Sequence, residues 1–451
     1  MGTPRGKFLV WNNILKTGLL PILDLLSFKE VMKWYNFYDG SQWWDRDRLL
    51  DYQLIEIRNT VREARDKFPL FRKLYKGINP ERDIREIKDL EKLPILEKDM
   101  ILATYPGGCT NKSTRSIREY STSGSTGTPM KVLVDSATMS RARALMLLRA
   151  TYSGWKIGIP LLQTGMSLSR GIVKGLKDKL LRTRYVSAFN LNDEALDSML
   201  AMIEEERLEY LMGYPGSIFC LAERARTVGF NRKMVGIVTW GDNLYRHYRS
   251  SIEGQFGCRV TDTYGIGEGV QIAAQCGESN GGYHIFMPHV ALEVVDDRGS
   301  LVIEEEMGNL LLTRLGAGVM PLIRYRVGDI GRKSAILECP CGRGLEILSS
   351  VDGRDTDIVV TPNGNRLIVH FFTGIFEYYD TIKVFRVVQE KEGEIVVEIV
   401  PAEGFDNSVW NRLKSEILAK GDRDLRIELK VVENITPEKS NKRRFVVSRL
   451  R

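Results

Sequence analysis

Hydrophobic residues recur at helical spacing in three parts of the N-terminal half of the chain. After Asp47 the apolar positions are Leu50, Leu54, Ile57 and Val61. A spacing of three or four residues places them on one face of a helix, so this segment is predicted to be a packing helix. Residues 138–149 and 193–206 are predicted to form two further helices. Residues 157–175 mix apolar residues with Gly and Ser, which predicts an irregular segment.

Short apolar strands alternate with helices from residue 208 onwards, which is the pattern of an α/β domain. The predicted strands cover residues 209–212, 233–240, 258–263 and 309–315, with a hairpin over 290–302. Polar residues follow two of these strands, Asp242-Asn243 after one and Tyr264-Gly265-Ile266-Gly267-Glu268 after the next. Ligands of open α/β sheets bind at the carboxyl ends of strands, so these residues are predicted to face one site.

The pattern restarts after Gly353 as a small α+β domain of ordinary size. Its predicted strands cover residues 358–361, 366–369, 382–389, 394–400 and 425–432, and its predicted helix covers 407–419. Between the first two strands stands Pro362-Asn363-Gly364-Asn365, a strong turn signal.

The composition is that of an ordinary globular protein. Of the 451 residues, 43% are hydrophobic and 27% are charged, and this length predicts two or more domains. The 65 basic and 58 acidic residues give a net charge of +7. This mild excess suits anionic small molecules, and without a long basic run no nucleic-acid partner is expected.

The sequence predicts a cytoplasmic protein without a transmembrane segment. The apolar stretch from Gly18 to Phe28 is interrupted by Pro21 and Asp24 and is shorter than the roughly 20 residues of a membrane span. No signal-peptide cleavage pattern is present, and the six cysteines lack the spacing of a small disulfide scaffold, which predicts a reducing compartment. Peripheral membrane contact through the Trp- and Leu-rich N-terminus is the less favoured alternative to a core helix.

Residues 120–131 carry the clearest chemical signal. The candidate ligands in this segment are Ser121, Thr122, Ser123, Gly124, Ser125, Thr126, Gly127 and Lys131. Small residues and hydroxyls form turns whose N–H groups wrap a polyphosphate. The spacing excludes a P-loop of the form G-x-x-x-x-G-K-[ST]. A solvated linker is disfavoured because Val132-Leu133-Val134 follows at once, as in a hairpin that returns to a sheet.

Five motifs in this order resemble the adenylate-forming superfamily and, within it, the phenylacetate-CoA ligase branch, most of all its capsular-polysaccharide biosynthesis type. The motifs are residues 120–131, Tyr264 to Glu268, Pro321 to Asp329, Gly353-Arg354 and Ser440-Asn441-Lys442. The first meets the superfamily pattern [ST]-S-G-[ST]-T-G-x-P at every position. The resemblance runs from about residue 50 to the C-terminus, and five ordered motifs make coincidence improbable.

The resemblance implies an α/β fold class with a large N-terminal adenylate-forming domain of several subdomains, residues 1–352, and a small mobile α+β lid domain, residues 353–451. It also implies that ATP and magnesium activate a carboxylic acid as acyl-AMP, and that the acyl group passes to an acceptor, with coenzyme A favoured. A pocket for the acyl group is expected near residues 157–175. Asp242 and Asn243 stand where the branch usually has a Gly-Glu pair beside the adenine.

Within the nucleotide site, the resemblance implies a role for each motif residue. Tyr264 would flank the adenine next to Gly265, Glu268 would hold magnesium, and Asp329 would bind both ribose hydroxyls. A surface ion pair is the alternative for Asp329 and a solvated loop position the alternative for Glu268. Binding is favoured because vicinal hydroxyls and magnesium both require carboxylate oxygens.

Two residues beyond the large domain complete the implied site. Arg354 would contact the ribose or a phosphate from the inter-domain hinge, and Lys442 would assist adenylation and leave when the lid rotates. A solvated basic tail is the alternative for Lys442, since basic residues flank it. Around these two residues the chain also departs from the family. Thr356 stands where a hinge aspartate is usual, and Asn441 replaces a glycine, although asparagine tolerates the left-handed geometry of such a turn.

Cysteine and histidine residues form a second candidate site. Cys339 and Cys341 place two thiols within reach of one ion, and Cys276 with His284 would complete a Cys3His set. Four protein ligands close the coordination shell, which predicts a structural zinc rather than a catalytic one. Free buried thiols are the alternative.

These observations predict an ATP-dependent acid-activating ligase whose partners are a small carboxylic acid and an acyl acceptor. Three alternatives stay open at this point. The acyl group could pass to an amine or hydroxyl, AMP could pass to a cofactor hydroxyl, or the chain could be a nucleotide-binding scaffold without turnover.

Overall fold

The structure is a computed structural model that describes residues 10–26, 29–111, 117–121, 130–167, 171–189, 191–279, 281–352, 359–367, 369–376, 378–435 and 445–450. Its contacts divide the chain into two units. The first unit comprises Met1–Tyr120, Lys131–Tyr152 and Thr263–Asp352, and the second comprises Ser121–Met130, Ser153–Asp262 and Gly353–Arg451. Several predicted site residues lie outside the described residues, namely Thr122, Ser123, Gly124, Ser125, Thr126, Gly127, Arg354 and Lys442.

Strands are numbered in chain order. They are β1 Ile117–Ser121, β2 Lys131–Asp135, β3 Leu161–Gly165, β4 Thr183–Ser187, β5 Tyr210–Gly213, β6 Gly236–Thr239, β7 Val260–Gly265, β8 Gln271–Gln275, β9 Tyr283–Ile285, β10 Val290–Val295, β11 Met307–Arg314, β12 Tyr325–Lys333, β13 Ile347–Asp352, β14 Val359–Val360, β15 Arg366–Leu367, β16 Ile382–Lys391, β17 Glu394–Pro401, β18 Arg426–Val431 and β19 Val446–Ser448.

Helices of the first unit precede its main sheet. They are Leu20–Leu26, Val31–Ser41, Arg46–Lys67, Pro69–Leu74, Pro80–Asp83, Lys98–Thr104 and Ser136–Thr151, with a π-helix over Leu15–Leu19 and a 3-10 helix over Ile87–Lys92. The predicted packing helix is confirmed as Arg46–Lys67, and the carboxylate of Asp45 caps its first turn. Its buried face includes Gln53, whose amide donates to the carbonyl oxygens of Met287 and Val290 at 3.2 and 2.7 Å.

Antiparallel strands form the main sheet of the first unit. Their order is β10-β11-β12-β13-β9-β8, and β8 pairs with the last three residues of β7. Every residue of β10 is buried, and most residues of β11 are buried too. These two strands therefore form much of the core of this unit. In the described part of the chain, no helix is both long and apolar enough to span a bilayer.

Parallel strands in the second unit confirm the predicted α/β alternation. Their order is β4-β3-β5-β6, and β6 pairs with the first three residues of β7. The helices between them are Gly171–Leu181, Asp193–Glu205, Pro215–Thr227 and Arg246–Phe256. The predicted irregular segment 157–175 is wrong, since it contains β3 and the start of a helix. Polar Gln163 and Thr164 interrupt the apolar run of β3, so the hydrophobic pattern did not predict a strand there. Thr164 is nevertheless buried, and its hydroxyl forms a hydrogen bond with the Ser217 hydroxyl at 2.6 Å.

The C-terminal segment of the second unit has the predicted α+β arrangement. A sheet of order β18-β17-β16-β19 accompanies the helices Val369–Phe376 and Asn407–Lys420, and β14 pairs with β15. Fully buried Phe371 and Phe372 lie at the centre of its apolar core. Phe189, from the segment after β4, packs into the same core with its ring 5.5 Å from that of Phe371.

Candidate functional site

Two motifs of identical pattern meet in the first unit. Tyr264 to Glu268 and Tyr325 to Asp329 both read tyrosine, two residues, glycine, acid. The Tyr264 hydroxyl donates to Asp329 Oδ2 at 2.9 Å, and the Tyr325 hydroxyl donates to Glu268 Oε1 at 2.8 Å. Each tyrosine therefore binds the acid of the other motif. This places the two acids predicted for magnesium and ribose in one site.

Glu268 is a buried acid, with 9% of its surface exposed. Burial raises the pKa of its carboxyl group, and the nearby charge of Asp329 acts in the same direction. The hydrogen bond from Tyr325 and the charge of Lys98 oppose this rise in the pKa. A carboxylate held in this way gains from a bound cation, because a buried charge is costly unless it is paired.

A tight turn holds Glu268 after β7. The Ile266 amide donates to the Val270 carbonyl at 3.0 Å, and the Gly269 amide donates to the Ile266 carbonyl at 3.0 Å. A side chain at Gly265 would place its Cβ 2.8 Å from the carbonyl oxygen of Val270, so only glycine fits there. Close packing of the backbone in this turn therefore explains why the predicted nucleotide motif has glycine at position 265.

The strand that carries Asp329 is fixed to the segment before the helix Lys98–Thr104. The Leu96 amide donates to the Arg324 carbonyl at 3.0 Å, and the Arg326 amide donates to the Leu96 carbonyl at 3.1 Å. The Arg326 guanidinium also donates to Glu97 Oε1 at 2.9 Å. Gly328, just before Asp329, has a φ of +84°, a conformation that favours glycine.

The remaining described candidates lie at other strand ends. Lys131 starts β2 in the first unit, where its Nζ is 3.2 Å from a carboxylate oxygen of Glu119. Asp242 and Asn243 follow β6 in the second unit, and the backbone N–H of Asn243 donates to Asp242 Oδ1 at 2.8 Å. Burial raises the pKa of the Asp242 carboxyl to about 7, and the charge of Asp262 adds to the rise.

The predicted metal ligands converge in the first unit. The thiol sulfur of Cys276 lies 3.3 Å from His284 Nε2 and 3.7 Å from the sulfur of Cys339, and the sulfur of Cys341 lies 3.4 Å from His284 Nε2. All four ligand atoms lie within 4.8 Å of one another. A tetrahedral zinc with its usual bond lengths separates two sulfurs by about 3.8 Å and sulfur from nitrogen by about 3.5 Å. The four residues therefore fit zinc in both donor type and spacing.

Arg343 is the positive group beside these thiols. Its guanidinium lies 4.0 Å from the ring centre of Tyr152 and 4.7 Å from that of Trp43, and it donates to Gln42 Oε1 at 2.8 Å. Burial opposes ionisation of the Cys341 thiol, but hydrogen bonds from Arg343 lower its pKa overall. Three thiolates with a bound zinc ion would carry a net charge of −1, which this guanidinium would offset.

Three groups that were not predicted from the sequence lie at these sites. Tyr325 binds Glu268, Lys98 contributes positive charge near Glu268, and Arg343 lies beside Cys341. Tyr325 carried a readable signal, since its motif repeats the pattern of the motif that begins at Tyr264. For Lys98 and Arg343 the sequence holds no comparable pattern.

Comparisons with known proteins identify a matching domain family and several relatives of this chain. Residues 359–449 match the CapK C-terminal domain. A phenylacetate-coenzyme A ligase from Thermus thermophilus is 23% identical over 424 residues, covering 86% of this chain and 91% of the relative. The phenylacetate-coenzyme A ligase of Escherichia coli K12 is 24% identical over 332 residues, covering 70% and 73%.

The fold also has solved counterparts. A structure of 2-hydroxyisobutyryl-CoA ligase in complex with 2-HIB-AMP and CoA in the thioesterification state matches 91% of this chain and 93% of its own, with a TM-score of 0.59 and 19% identity. The same ligase in its postadenylation state matches 88% of each chain with a TM-score of 0.55. The chain therefore has the fold of the adenylate-forming CoA ligases, matches the CapK C-terminal domain over residues 359–449 and has phenylacetate-CoA ligases among its homologues.

Proposed function

We propose that the protein is an ATP-dependent ligase that activates a carboxylic acid as acyl-AMP with release of pyrophosphate and then transfers the acyl group to coenzyme A. The meeting of Glu268 and Asp329 through crossed tyrosine hydrogen bonds carries this proposal. This arrangement offers one carboxylate, Glu268, for the magnesium ion and a second, Asp329, for the ribose of ATP. The homologous phenylacetate-CoA ligases and the fold shared with 2-hydroxyisobutyryl-CoA ligase support it.

In this proposal the nucleotide is bound by side chains from several loops. Asp329 accepts hydrogen bonds from the ribose hydroxyls, Tyr264 flanks the adenine, and Asp242 and Asn243 contact its edge. The segment 121–127, together with Lys131, surrounds the phosphates. Glu268 binds the magnesium ion, which when bound neutralises charge that develops on the phosphate oxygens.

The small C-terminal domain is proposed to rotate between the two half-reactions, adenylation and acyl transfer. Residues 353–451 form a lid that rotates, with Arg354 at its hinge contacting the ribose or a phosphate. Lys442 stabilises the negative charge on the acid and the α-phosphate during adenylation and then leaves with the lid. The match of residues 359–449 to a C-terminal domain family supports this boundary.

Zinc is proposed to be a structural ion of the first unit. Cys276, His284, Cys339 and Cys341 supply a complete tetrahedral shell, so the ion has no open position for catalysis. When bound, zinc stabilises the fold, because its ligands are brought together only in the native state. Zinc thiolates require reduced cysteines, which supports a reducing compartment such as the cytoplasm.

ATP–pyrophosphate exchange tests the proposed reaction. The purified protein is incubated with magnesium-ATP, labelled pyrophosphate and single members of a panel of aromatic, hydroxy-aryl, fatty and sugar acids. Exchange that depends on one acid establishes adenylation and identifies the acyl group. Coenzyme A, amines and alcohols are then compared as acceptors with that acid. Magnesium-ATP binding without exchange for any acid would instead favour AMP transfer to a hydroxyl or a scaffold without turnover.

A further inference from the structure

We infer that Tyr325 and Tyr264 are positioning residues whose crossed hydrogen bonds fix the magnesium-binding carboxylate and the ribose-binding carboxylate relative to each other. This inference rests on the proposed function for the roles of Glu268 and Asp329. It goes beyond that function in giving Tyr325 a role and in giving the Tyr264 hydroxyl a task separate from that of its ring.

The sheet alone does not fix the two motifs against each other. In the first unit β13, β9 and β8 lie between β12, which contains Tyr325, and β7, which contains Tyr264. Both acids lie four residues after their tyrosines, and each follows a glycine that permits backbone freedom. The two tyrosine–carboxylate bonds, at 2.9 and 2.8 Å, join these separate strand ends directly.

Both hydroxyl groups act as permanent donors. Each hydroxyl lies within hydrogen-bond distance of one carboxylate oxygen, and beside an ionised carboxylate, which can only accept, the phenol is the donor. A carboxylate accepts several hydrogen bonds through its two oxygens, so one bond from tyrosine leaves capacity for a ligand. The Tyr325 bond occupies Oε1 of Glu268 and thus orients the second oxygen without blocking it.

The crossed bonds also oppose electrostatic repulsion. Each tyrosine reaches from its own motif to the acid of the other, so the two carboxylates share one site, and like charges in one site disfavour each other's ionised form. A hydroxyl donor on each carboxylate stabilises its ionised form. The pair of tyrosines therefore holds the two acids at a fixed separation before magnesium-ATP arrives, which is preorganisation of the binding site.

Because each tyrosine supports a different acid, the two phenylalanine variants are expected to have different defects. Tyr325→Phe should raise the magnesium concentration needed for half-maximal ATP binding by about tenfold, since the lost bond is to a charged group. It should leave the preference for ATP over 2′-deoxy-ATP unchanged. Tyr264→Phe keeps the aromatic ring and should reduce that preference by about tenfold, with little effect on the magnesium dependence.

Tyr75→Phe is the matched control. Tyr75 lies in the first unit, is fully buried, and its hydroxyl has no hydrogen-bond partner among the described residues. Nucleotide binding is measured by calorimetry at a series of magnesium concentrations with ATP and 2′-deoxy-ATP, and thermal unfolding is recorded for every variant. A purely structural role for the tyrosines would lower the unfolding temperature without changing the magnesium dependence or the ribose preference.

Two results would overturn the inference and are distinguishable from each other. If the wild-type protein binds magnesium-ATP while Tyr325→Phe and Tyr264→Phe behave like Tyr75→Phe, the inference fails alone. If the wild-type protein binds no magnesium-ATP, the proposed function fails and the inference fails with it. As a further check, Tyr325→Phe should have no additional effect on the magnesium dependence in a Glu268→Gln background, because its target carboxylate is then absent.

Discussion

Asp242 is an acid at the end of a parallel strand whose surroundings disfavour its charge. Burial raises the pKa of its carboxyl from an ordinary value of 3.8 to about 7, and Asp262 on the adjacent strand adds to the effect. The folded state therefore binds a proton more tightly than the unfolded state. The stabilisation from this proton is complete below about pH 4 and is lost as the pH rises through 7.

Replacing this acid should remove that pH dependence. The unfolding temperature of wild-type protein should fall between pH 5 and pH 8, and Asp242→Asn should show a smaller fall because its side chain does not ionise. Thermal unfolding at intervals across this range measures the difference. Asp197→Asn is the control, since the pKa of Asp197 is lowered by a hydrogen bond from Arg224 and its effect lies at more acidic pH. Parallel pH profiles for Asp242→Asn and wild type would contradict the expectation.

Some residues of the candidate sites could be predicted from the sequence and others could not. Glu268 and Asp329 were predicted because each stands in a motif with a physical task, and the structure brings them into one site. The metal ligand set was predicted from residue type and from the Cys-x-Cys spacing, since three thiols and one imidazole suit a single ion. The contact of Tyr325 was missed because its partner Glu268 lies 57 residues earlier, in the turn between β7 and β8, whereas the strand of Tyr325 pairs with β11 and β13.

At the scale of elements, one buried arginine connects several segments of the first unit. Arg324 is 2% exposed, has a φ of +47° and forms an ion pair with Glu293 at 2.9 Å. Its guanidinium also donates to the carbonyl oxygens of Leu93 and Gly299 at 2.7 and 2.8 Å. These contacts fix the start of β12, and therefore the position of Asp329, against β10 and two connecting segments.

Removing one member of this buried pair should be costly. Arg324→Met leaves the Glu293 charge buried without a partner, which is expected to lower the free energy of unfolding by about 3–5 kcal/mol. The double variant Arg324→Met/Glu293→Met should recover part of this loss, because no isolated charge remains. Urea unfolding followed by fluorescence measures both. Arg326→Met, which breaks the more exposed pair with Glu97, serves as the control and should cost about 1 kcal/mol or less.

Zinc is expected to stabilise three elements of the first unit together. Cys276 follows β8, His284 lies in β9, and Cys339 and Cys341 lie between β12 and β13. Protein purified without chelator should contain about one zinc per chain, and Cys341→Ser should lose the ion and unfold at lower temperature. Elemental analysis and thermal unfolding measure these effects. Cys258→Ser, in the second unit, is the control and should keep its zinc. Zinc-free wild-type protein would contradict the assignment.

Helices and strands could be predicted from the sequence where a single local effect determines their secondary structure. The helix Ser136–Thr151 follows from its content of Ala, Leu and Met, and the strands β16 and β17 follow from apolar runs on either side of turn residues. Strand β3 was missed because a tertiary contact to Ser217, rather than the strand's own pattern, accounts for the buried Thr164. Hydrophobic spacing likewise gave no reason to expect a buried Gln53, which satisfies its amide through carbonyl groups more than 200 residues away.

At the scale of the whole molecule, ordered motifs predicted more than any local pattern could. The α/β class and the small α+β segment at the C-terminus are confirmed, and solved CoA ligases share the fold. The division at residue 353 and the rotation of a lid stay predictions. Both concern exchange between two conformations of the protein. A sequence pattern can indicate which segments move, but it gives less information on the conformations between which they move.

The proposed lid makes a prediction that separates the two half-reactions. If Lys442 stabilises charge only during adenylation, Lys442→Ala should lower the rate of ATP–pyrophosphate exchange by about 100-fold or more, which is the usual effect of losing one electrostatic contact to a transition state. Thioester formation from synthetic acyl-AMP and coenzyme A should stay close to the wild-type rate, because the lysine has then left the site. Both rates are measured with the acid identified by the exchange panel.

The control for this experiment comes from the same basic segment. Lys439→Ala removes one positive charge three residues earlier. It should leave both half-reactions near wild type, since a general electrostatic effect of the tail is screened by salt. If Lys439→Ala and Lys442→Ala slow the exchange equally, the segment acts as a basic tail and the assignment of Lys442 is wrong. If Lys442→Ala slows thioester formation as much as adenylation, the lysine remains in the site throughout and the lid does not divide the reaction.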